Sequence, residues 1–432
     1  MARGSNDPVP RQLLAEGLDF PTSIALGGDG ALYVAESGLP FGGAAPGGRI
    51  VRIGRDGAKE VVLDGLRAPV NGLTEAEGDF YIAEGGNPGR ISRWRPGGDR
   101  ETVLDGLPAG GNYHTNMVAV GRDGWLYFGQ GAMTNSGVVG LDAIDLAWLR
   151  RLQHPVDLPG YPVTVSGRSF ETRDPRSDDP AARASTAGFA PFGETRSGDE
   201  RLEARLPCTA AVMRCRPDGG DLELVAWGLR NPFGLGFLPD GRLIATDQGA
   251  DDRGSRPIGA GPDLLYEVKA GAWYGWPDFV GGVPVTDPRF TPQRGDPPGF
   301  LLADHASLPP PERPLLEFAV NAAATKFAVL PDSAPWPGQL IVAIFGDEKP
   351  MTGPAGPKVG RSLLRVDPGG WCGHAFDVGR FDRPIDVAVD PDGKSLLVLD
   401  FGHFEMLEAG GLDAVAGSGR LWKIELNQGD SR

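Results

Sequence analysis

The sequence predicts an all-β protein, a six-bladed β-propeller of four-stranded blades, and three observations carry that expectation. One phrase recurs along the 432 residues: an alternating segment ending in Gly-Leu, a turn with Pro or Asn, a short apolar segment, a Gly/Asp turn and a second alternating strand. A third kind of strand sits between the copies. The chain ends are complementary, because the first segment is a fourth strand with no third before it and the last is a third strand with no fourth after it. Pairing them closes the ring and removes an open sheet edge.

In chain order the copies read LLAEGLDFPTSIALGGDGALYVAE, VVLDGLRAPVNGLTEAEGDFYIAE, TVLDGLPAGGNYHTNMVAVGRDGWLYFGQ and LVAWGLRNPFGLGFLPDGRLIATDQ. A weaker copy, TKFAVLPDSAPWPGQLIVAIFGD, precedes the last, FDVGRFDRPIDVAVDPDGKSLLVLD. The third strands are GRIVRI, GRISRW, AVMRCR, LLYEVK, SLLRVD and GRLWKI. Residues 12–15 are expected to pair with 419–424 to complete the sixth blade. The whole of 11–428 is then one domain. Two intervals, 131–206 and 250–315, exceed a normal blade connection and leave just after a second strand, as lids or binding segments do.

With 57 acidic and 42 basic residues and a formal charge of −15, the chain has no basic run to engage phosphates, so no nucleic-acid partner is expected. The longest apolar stretches are broken by Glu317, Asn321 and Lys326, which argues against a membrane helix. The opening MARGSNDPVP lacks the apolar core of a signal peptide. The expected location is cytoplasmic, or periplasmic or secreted if an export signal has been removed. Cys208 and Cys215 flank an extended segment that holds them roughly 20 Å apart, too far to pair, and Cys372 is the third cysteine. That mildly favours a reducing compartment. Oligomeric state is left open.

In a blade whose first strand lies innermost, the fourth-to-first and second-to-third connections share one face. Entering the first strands are Thr22, Asn71, His114 with Asn116, Arg230 with Asn231, Lys326 and Arg383. Leaving the second strands are Glu36, Glu84, Gln130, Asp247 with Gln248, residues 347–349 and Asp400. Such a set suits a metal and a polar or anionic small molecule. Acids and amides at strand ends also build turns and cap backbone groups, so any one of them has a structural role to weigh against a ligand role. His114 stands out because a small residue would suffice in its turn and an imidazole can accept a proton near neutral pH. Trp273 and Trp276 read as packing rather than as a cofactor box. Phosphate loops, serine nucleophile elbows and zinc-type Cys/His spacings are missing from the sequence.

Three segments, AWGLRNPFGLGFLPDGRLIATDQGADDRG, DLLYEVKAGAWYGWPDF and RPIDVAVDPDGKSLLVLDFG, resemble the glucose/sorbosone dehydrogenase family. The most specific part is 229–232 with Gln248-Gly249 and 274–277. The resemblance implies a soluble six-bladed propeller that oxidises a sugar or related alcohol, passing hydride to pyrroloquinoline quinone held with calcium. His114 would then take the hydroxyl proton, Arg230 and Asn231 would contact the quinone, and Arg383 and Lys349 would complete its anion site. Gly249 and Ala250 would offer carbonyls to calcium, a hard ion that prefers oxygen, and Gln130 is assigned to the substrate. The chain departs from the family pattern at Phe233, where relatives often carry Gln, and at Ile385, in place of a second arginine. Losing one charge-assisted contact weakens quinone binding by roughly 1.5–3 kcal/mol.

Two other readings stand beside this one. A metal-dependent lactonase or other hydrolase would use Glu36, Glu84, Asn71, Asn231 and Asp400 as ligands on the same face. A non-catalytic binding propeller would carry the polar ring as turn chemistry alone.

Overall fold

The computed structural model describes residues 11–54, 56–145, 149–152, 154–293, 297–346, 358–407 and 411–426. Six antiparallel four-stranded sheets make six blades. Blade 1 runs through Pro21–Leu26, Leu32–Glu36, Gly48–Ile53 and Lys59–Leu66, and blade 2 through Val70–Ala76, Asp79–Glu84, Gly89–Trp94 and Arg100–Leu107. Blade 3 takes Thr115–Val120, Leu126–Gln130, Ala211–Cys215 and Glu223–Trp227. Blade 4 takes Pro232–Phe237, Leu243–Asp247, Pro262–Glu267 and Leu316–Val320. Blade 5 takes Ala324–Val329, Leu340–Ile344, Ser362–Asp367 and Cys372–Phe376. Blade 6 takes Pro384–Val389, Ser395–Asp400 and Gly419–Glu425, and Arg11–Leu18 supplies its fourth strand, pairing antiparallel from Arg11 opposite Ile424 to Leu18 opposite Gly419. Ring closure is therefore made by hydrogen bonds between the two ends of the described chain.

Alternation along each strand serves two neighbours at once. In blade 1, Tyr33 and Ala35 pack into the cluster shared with blade 2, whereas Val34 packs into the cluster shared with blade 6. In blade 6, Leu396 and Val398 face blade 5 while Leu397 and Leu399 face blade 1. Both faces of these strands are buried, which is why SLLVLD reads as a continuous apolar run rather than an alternating one. Six apolar clusters, one between each pair of adjacent blades, take the place of a single central core.

Two expectations need correction. The interval 250–315 does not leave as one long connection just after the second strand, because the third strand read as LLYEVK, Pro262–Glu267, comes early within it. The long excursion of that blade follows the third strand, not the second. In blade 5 the fourth strand is Cys372–Phe376, ending where the quoted repeat phrase begins. Its first four residues, Cys372 to Ala375, are exposed, so no apolar alternation marked it. The first interval carries a short helix, Asp142–Asp145, and two hairpins, Val163–Val165 with Glu200–Leu202 and Ser169–Arg173 with Arg183–Ala187. Cys208, Cys215 and Cys372 are all free. No helix among the described residues is long and apolar enough to cross a membrane.

Candidate functional site

Every first strand is irregular at the same place. Its pairing with the second strand slips between Pro21 and Ser23, Val70 and Gly72, Thr115 and Val118, Pro232 and Gly234, Ala324 and Phe327, and Pro384 and Asp386. A bulge leaves a residue unpaired and re-aims its side chain. The residues skipped in this way include Thr22, Asn71, Asn116, Phe233, Thr325 and Ile385, and all six line one cavity of about 280 Å³ at the mouth of the channel. Blades 1 to 3 thus give the floor a hydroxyl and two amides, while blades 4 and 6 give it Phe233 and Ile385.

The polar wall stands on blades 2 to 4. Asn71 donates to Asn116 (3.4 Å), Asn116 to Asn231 (2.8 Å) and Asn231 to Gln248 (2.7 Å), a chain of amides across three blades. His114 lies half-buried above them and, among the described residues, is the only histidine on the cavity. Its Nδ1 is 3.1 Å from the Gly85 carbonyl oxygen, which makes Nδ1 the donor and leaves Nε2 as the bare acceptor. Gly85 has to be glycine here, because a Cβ would lie 2.7 Å from the His114 Cβ and 2.8 Å from the Pro69 oxygen. Burial, helped by the charge of Arg151, outweighs the Gly85 contact and pushes the His114 imidazole down to about 4. The ring is neutral at pH 7.

Beside it, the first long excursion and the second-to-third connection of blade 4 contribute a charged cluster. Asp251 accepts from Arg230 and from Arg253, each at 2.9 Å, and Arg253 also reaches Asp142 at 3.1 Å and the Tyr113 hydroxyl at 3.0 Å. Burial alone would raise the Asp251 carboxyl, but the two guanidiniums hold it below the usual range. The same surroundings push the Tyr113 phenol up to about 12, chiefly through burial. Two cations face two carboxylates, so this wall is close to neutral.

Arg230 is expended within that cluster. Its Nε donates to the Asn135 carbonyl at 2.9 Å, Nη1 to the carbonyls of Gln248 and Gly249, and Nη2 to Tyr113, Asn135 Oδ1 and Asp251. It is 3% exposed. Lys326 is similarly committed under the floor, donating to the carbonyls of Thr22 and Asn71 at 2.6 Å each and lying 3.8 Å from Asp386. Burial drives its ammonium down to about 8. Lys326 therefore ties blade 5 to blades 1, 2 and 6. Lys326→Met should cost about 3–5 kcal/mol in chemical unfolding, since Asp386 would be left buried without its counter-charge.

The acids leaving the second strands act as staples. Glu36 accepts from the Asp19 amide (2.7 Å), Glu84 from the Arg67 amide (2.7 Å), Asp247 from the amides of Arg230 (3.1 Å) and Asn231 (2.6 Å), and Asp400 from those of Asp382 (2.9 Å) and Arg383 (2.7 Å). Each carboxylate fixes the loop that enters its own blade. Glu36, Glu84 and Asp400 do not line the cavity, and among the described residues no group of three or more His, Cys, Asp or Glu side chains is placed to hold a metal ion. The ligand set of a metal-dependent hydrolase is not assembled.

The remaining expected site residues divide. Asn231 and Gly249 line the cavity. Gln130 does not, being fully buried with Thr115 at 3.0 Å and the Pro108 carbonyl at 3.1 Å. Ala250 lines a separate space of about 20 Å³ beneath. Arg383 lies behind the apolar wall, its guanidinium over the Phe345 ring at 5.2 Å and bonded to the Phe404 carbonyl and Glu405, both at 2.9 Å. Lys349 falls outside the described residues.

These placements test the implied cofactor. A tricarboxylate quinone needs cations that turn toward it, yet Arg230 spends its N–H groups on protein oxygens and Arg383 sits behind Phe345. The Gly249 carbonyl, expected on calcium, accepts from the Arg230 guanidinium instead. The donors do not match a tricarboxylate–calcium pair in this arrangement. Tyr113, Asn112 and Arg253 were not among the expected site residues, and the charged run DQGADDRG, which carries Asp251 and Arg253, gave a signal but no partner.

No protein-family model matches the chain, and no curated protein matches it. Among solved structures it is similar to the PQQ-bound aldose sugar dehydrogenase of Streptomyces coelicolor, at 18% identity and a TM-score of 0.57, over 96% of each chain. It is also similar to the apo-form of the soluble aldose sugar dehydrogenase of Escherichia coli, at 14% identity and a TM-score of 0.56, over 97% of this chain and 100% of that one. The holo PQQ domain of a Coprinopsis cinerea pyranose dehydrogenase gives 13% identity and a TM-score of 0.57, over 98% of each chain. The chain thus has, along nearly its whole length, the six-bladed fold of the soluble quinone-dependent sugar dehydrogenase structures.

Proposed function

We propose that the protein is an oxidoreductase that oxidises a hydroxyl of a sugar or related alcohol, with His114 as the proton acceptor. The observation that carries this reading is the imidazole itself: neutral, fixed by Gly85 through Nδ1, with Nε2 bare at a cavity whose polar wall offers amides and a guanidinium to hydroxyl groups. The fold shared with sugar dehydrogenases supports the same class. Asn231, Gln248 and Arg253 orient the substrate, and Tyr113 and Asp251 hold Arg253 in place. The alcohol carbon gives up its hydride to a two-electron acceptor of the quinone class as its hydroxyl proton passes to Nε2.

The reading is tested by reduction of a redox dye over a panel of sugars and alcohols, with and without added pyrroloquinoline quinone and calcium. Substrate-dependent dye reduction that is lost in His114→Ala supports it. No reduction over the whole panel under either condition sinks it.

A further inference from the structure

We propose that the cavity selects an uncharged amphipathic alcohol, such as an aryl or alkyl glycoside, with the apolar group against blades 5, 6 and 1 and the hydroxyls toward blades 3 and 4. This rests on the oxidoreductase reading only for which hydroxyl reacts; the shape and chemistry of the ligand come from the walls themselves.

One part of the cavity wall is mainly apolar, with Thr22, Ser37, Asn321 and Thr325 as the polar side chains beside it. Phe233 and Ile385 rise from the floor, Phe345, Phe401 and Phe404 stand above them, and Leu39 adds a sixth apolar side chain. Phe401 packs on Phe404 with ring centroids 5.5 Å apart and on Phe345 at the same distance. The patch is continuous with the core cluster between blades 6 and 1, so its rings are held rigid from behind. Arg383 is masked by that cluster, and its charge is met by Glu405 at 2.9 Å.

Among the described residues, a carboxylate placed against these rings would lose its water and find no cation free of a protein partner within the cavity wall, a cost that an uncharged ring avoids. A free sugar would cover the rings with hydroxyls and leave their burial unused. A phenyl or alkyl group buries them, while Asn116, Asn231, Gln248 and Arg253 remain for the hydroxyls. Burying one such group corresponds to roughly tenfold to hundredfold tighter binding than the same sugar without it.

Calorimetric titration of the intact protein with phenyl β-D-glucopyranoside, D-glucose, and pyrroloquinoline quinone with calcium chloride tests the proposal. The phenyl glycoside is expected to bind at least about tenfold more tightly than D-glucose. Phe404→Ser and Ile385→Arg, one between the second and third strands of blade 6 and the other in its first strand, should each erase that difference; if one fails to fold, the other still reads it. Ile385→Arg should also strengthen quinone binding. Equal affinity for the two sugars, a preference unchanged in the variants, no binding of either sugar, or quinone binding tighter than the glycoside in the unmodified protein overturns the proposal. Quinone-dependent dye reduction with D-glucose alone would overturn it while leaving the oxidoreductase reading in place.

Discussion

His114→Ala should lower turnover by roughly 10²–10⁴-fold while leaving the fold and ligand affinity little changed, because the imidazole touches the reacting proton and no strand depends on it. Its acid limb should be displaced as well. An ordinary histidine loses its proton near 6.5, but burial holds this one neutral down to about 4. With the neutral form as the acceptor, kcat/KM should stay level from neutral pH to about pH 5 and fall only as pH approaches about 4. The residual activity of His114→Ala should lack that limb. A limb centred near 6.5 in the unmodified enzyme would show that the ring is not buried as described.

The same group bears on stability with a defined sign. Between about 6.5 and about 4 the unfolded chain takes up a proton that the native imidazole refuses, so the native state loses stability as pH falls through that window. Asp247 acts in the opposite sense. Burial pushes its carboxyl up to about 7, so the native state holds a proton that the unfolded chain has released, and this contribution is lost as pH rises through about 7. Of the two, only His114 carries an acid limb in activity.

Much of the architecture could be read from the sequence because a propeller repeats one local solution six times. Gly-Leu endings, Asp-Gly turns and two-sided apolar strands all depend on neighbours close in sequence or on the adjacent blade. Ring closure was visible for the same reason, as one orphan strand at each end. The fourth strand of blade 5 was not, since Cys372–Phe376 is an exposed edge with little to bury.

The site was legible in its location and less so in its roles. Antiparallel order brought His114, Asn231 and Gln248 to one face, as strand ends must. Which residue of each first strand turns inward depended on a one-residue slip in pairing, and slips leave little trace in composition. That is why Phe233 and Ile385 were read as departures from a motif and not as the floor. Arg230 shows the other limit. Its position followed from the repeat, whereas its partners Asn135 and Asp251 come from the first excursion and from the second-to-third connection of blade 4, whose meeting no periodicity encodes.

Where the first excursion meets blade 4, one buried ion pair ties the second-to-third connection of that blade to the excursion after its third strand, and Asp278→Ala should destabilise the protein by about 3–5 kcal/mol. Asp278 and Arg256 are 2.7 Å apart with both side chains wholly buried. The carboxylate also accepts from the amides of Leu301 and Leu302, and the guanidinium donates to the carbonyls of Ser136, Pro277 and Gly299. Removing the carboxylate leaves a guanidinium charge without its counter-ion and two amides without acceptors, which is far costlier than removing the pair together. Arg256→Met combined with Asp278→Leu should therefore recover part of the loss in a chemical-unfolding midpoint, although the backbone groups still go unpaired. The effect should also reach the cavity. Ser136 follows Asn135, whose carbonyl and side-chain oxygens receive Arg230, so Asp278→Ala should weaken substrate binding in addition to stability. A single variant that costs less than about 1 kcal/mol would mean that these segments hold each other by other contacts, and that the pair is not what positions the charged wall.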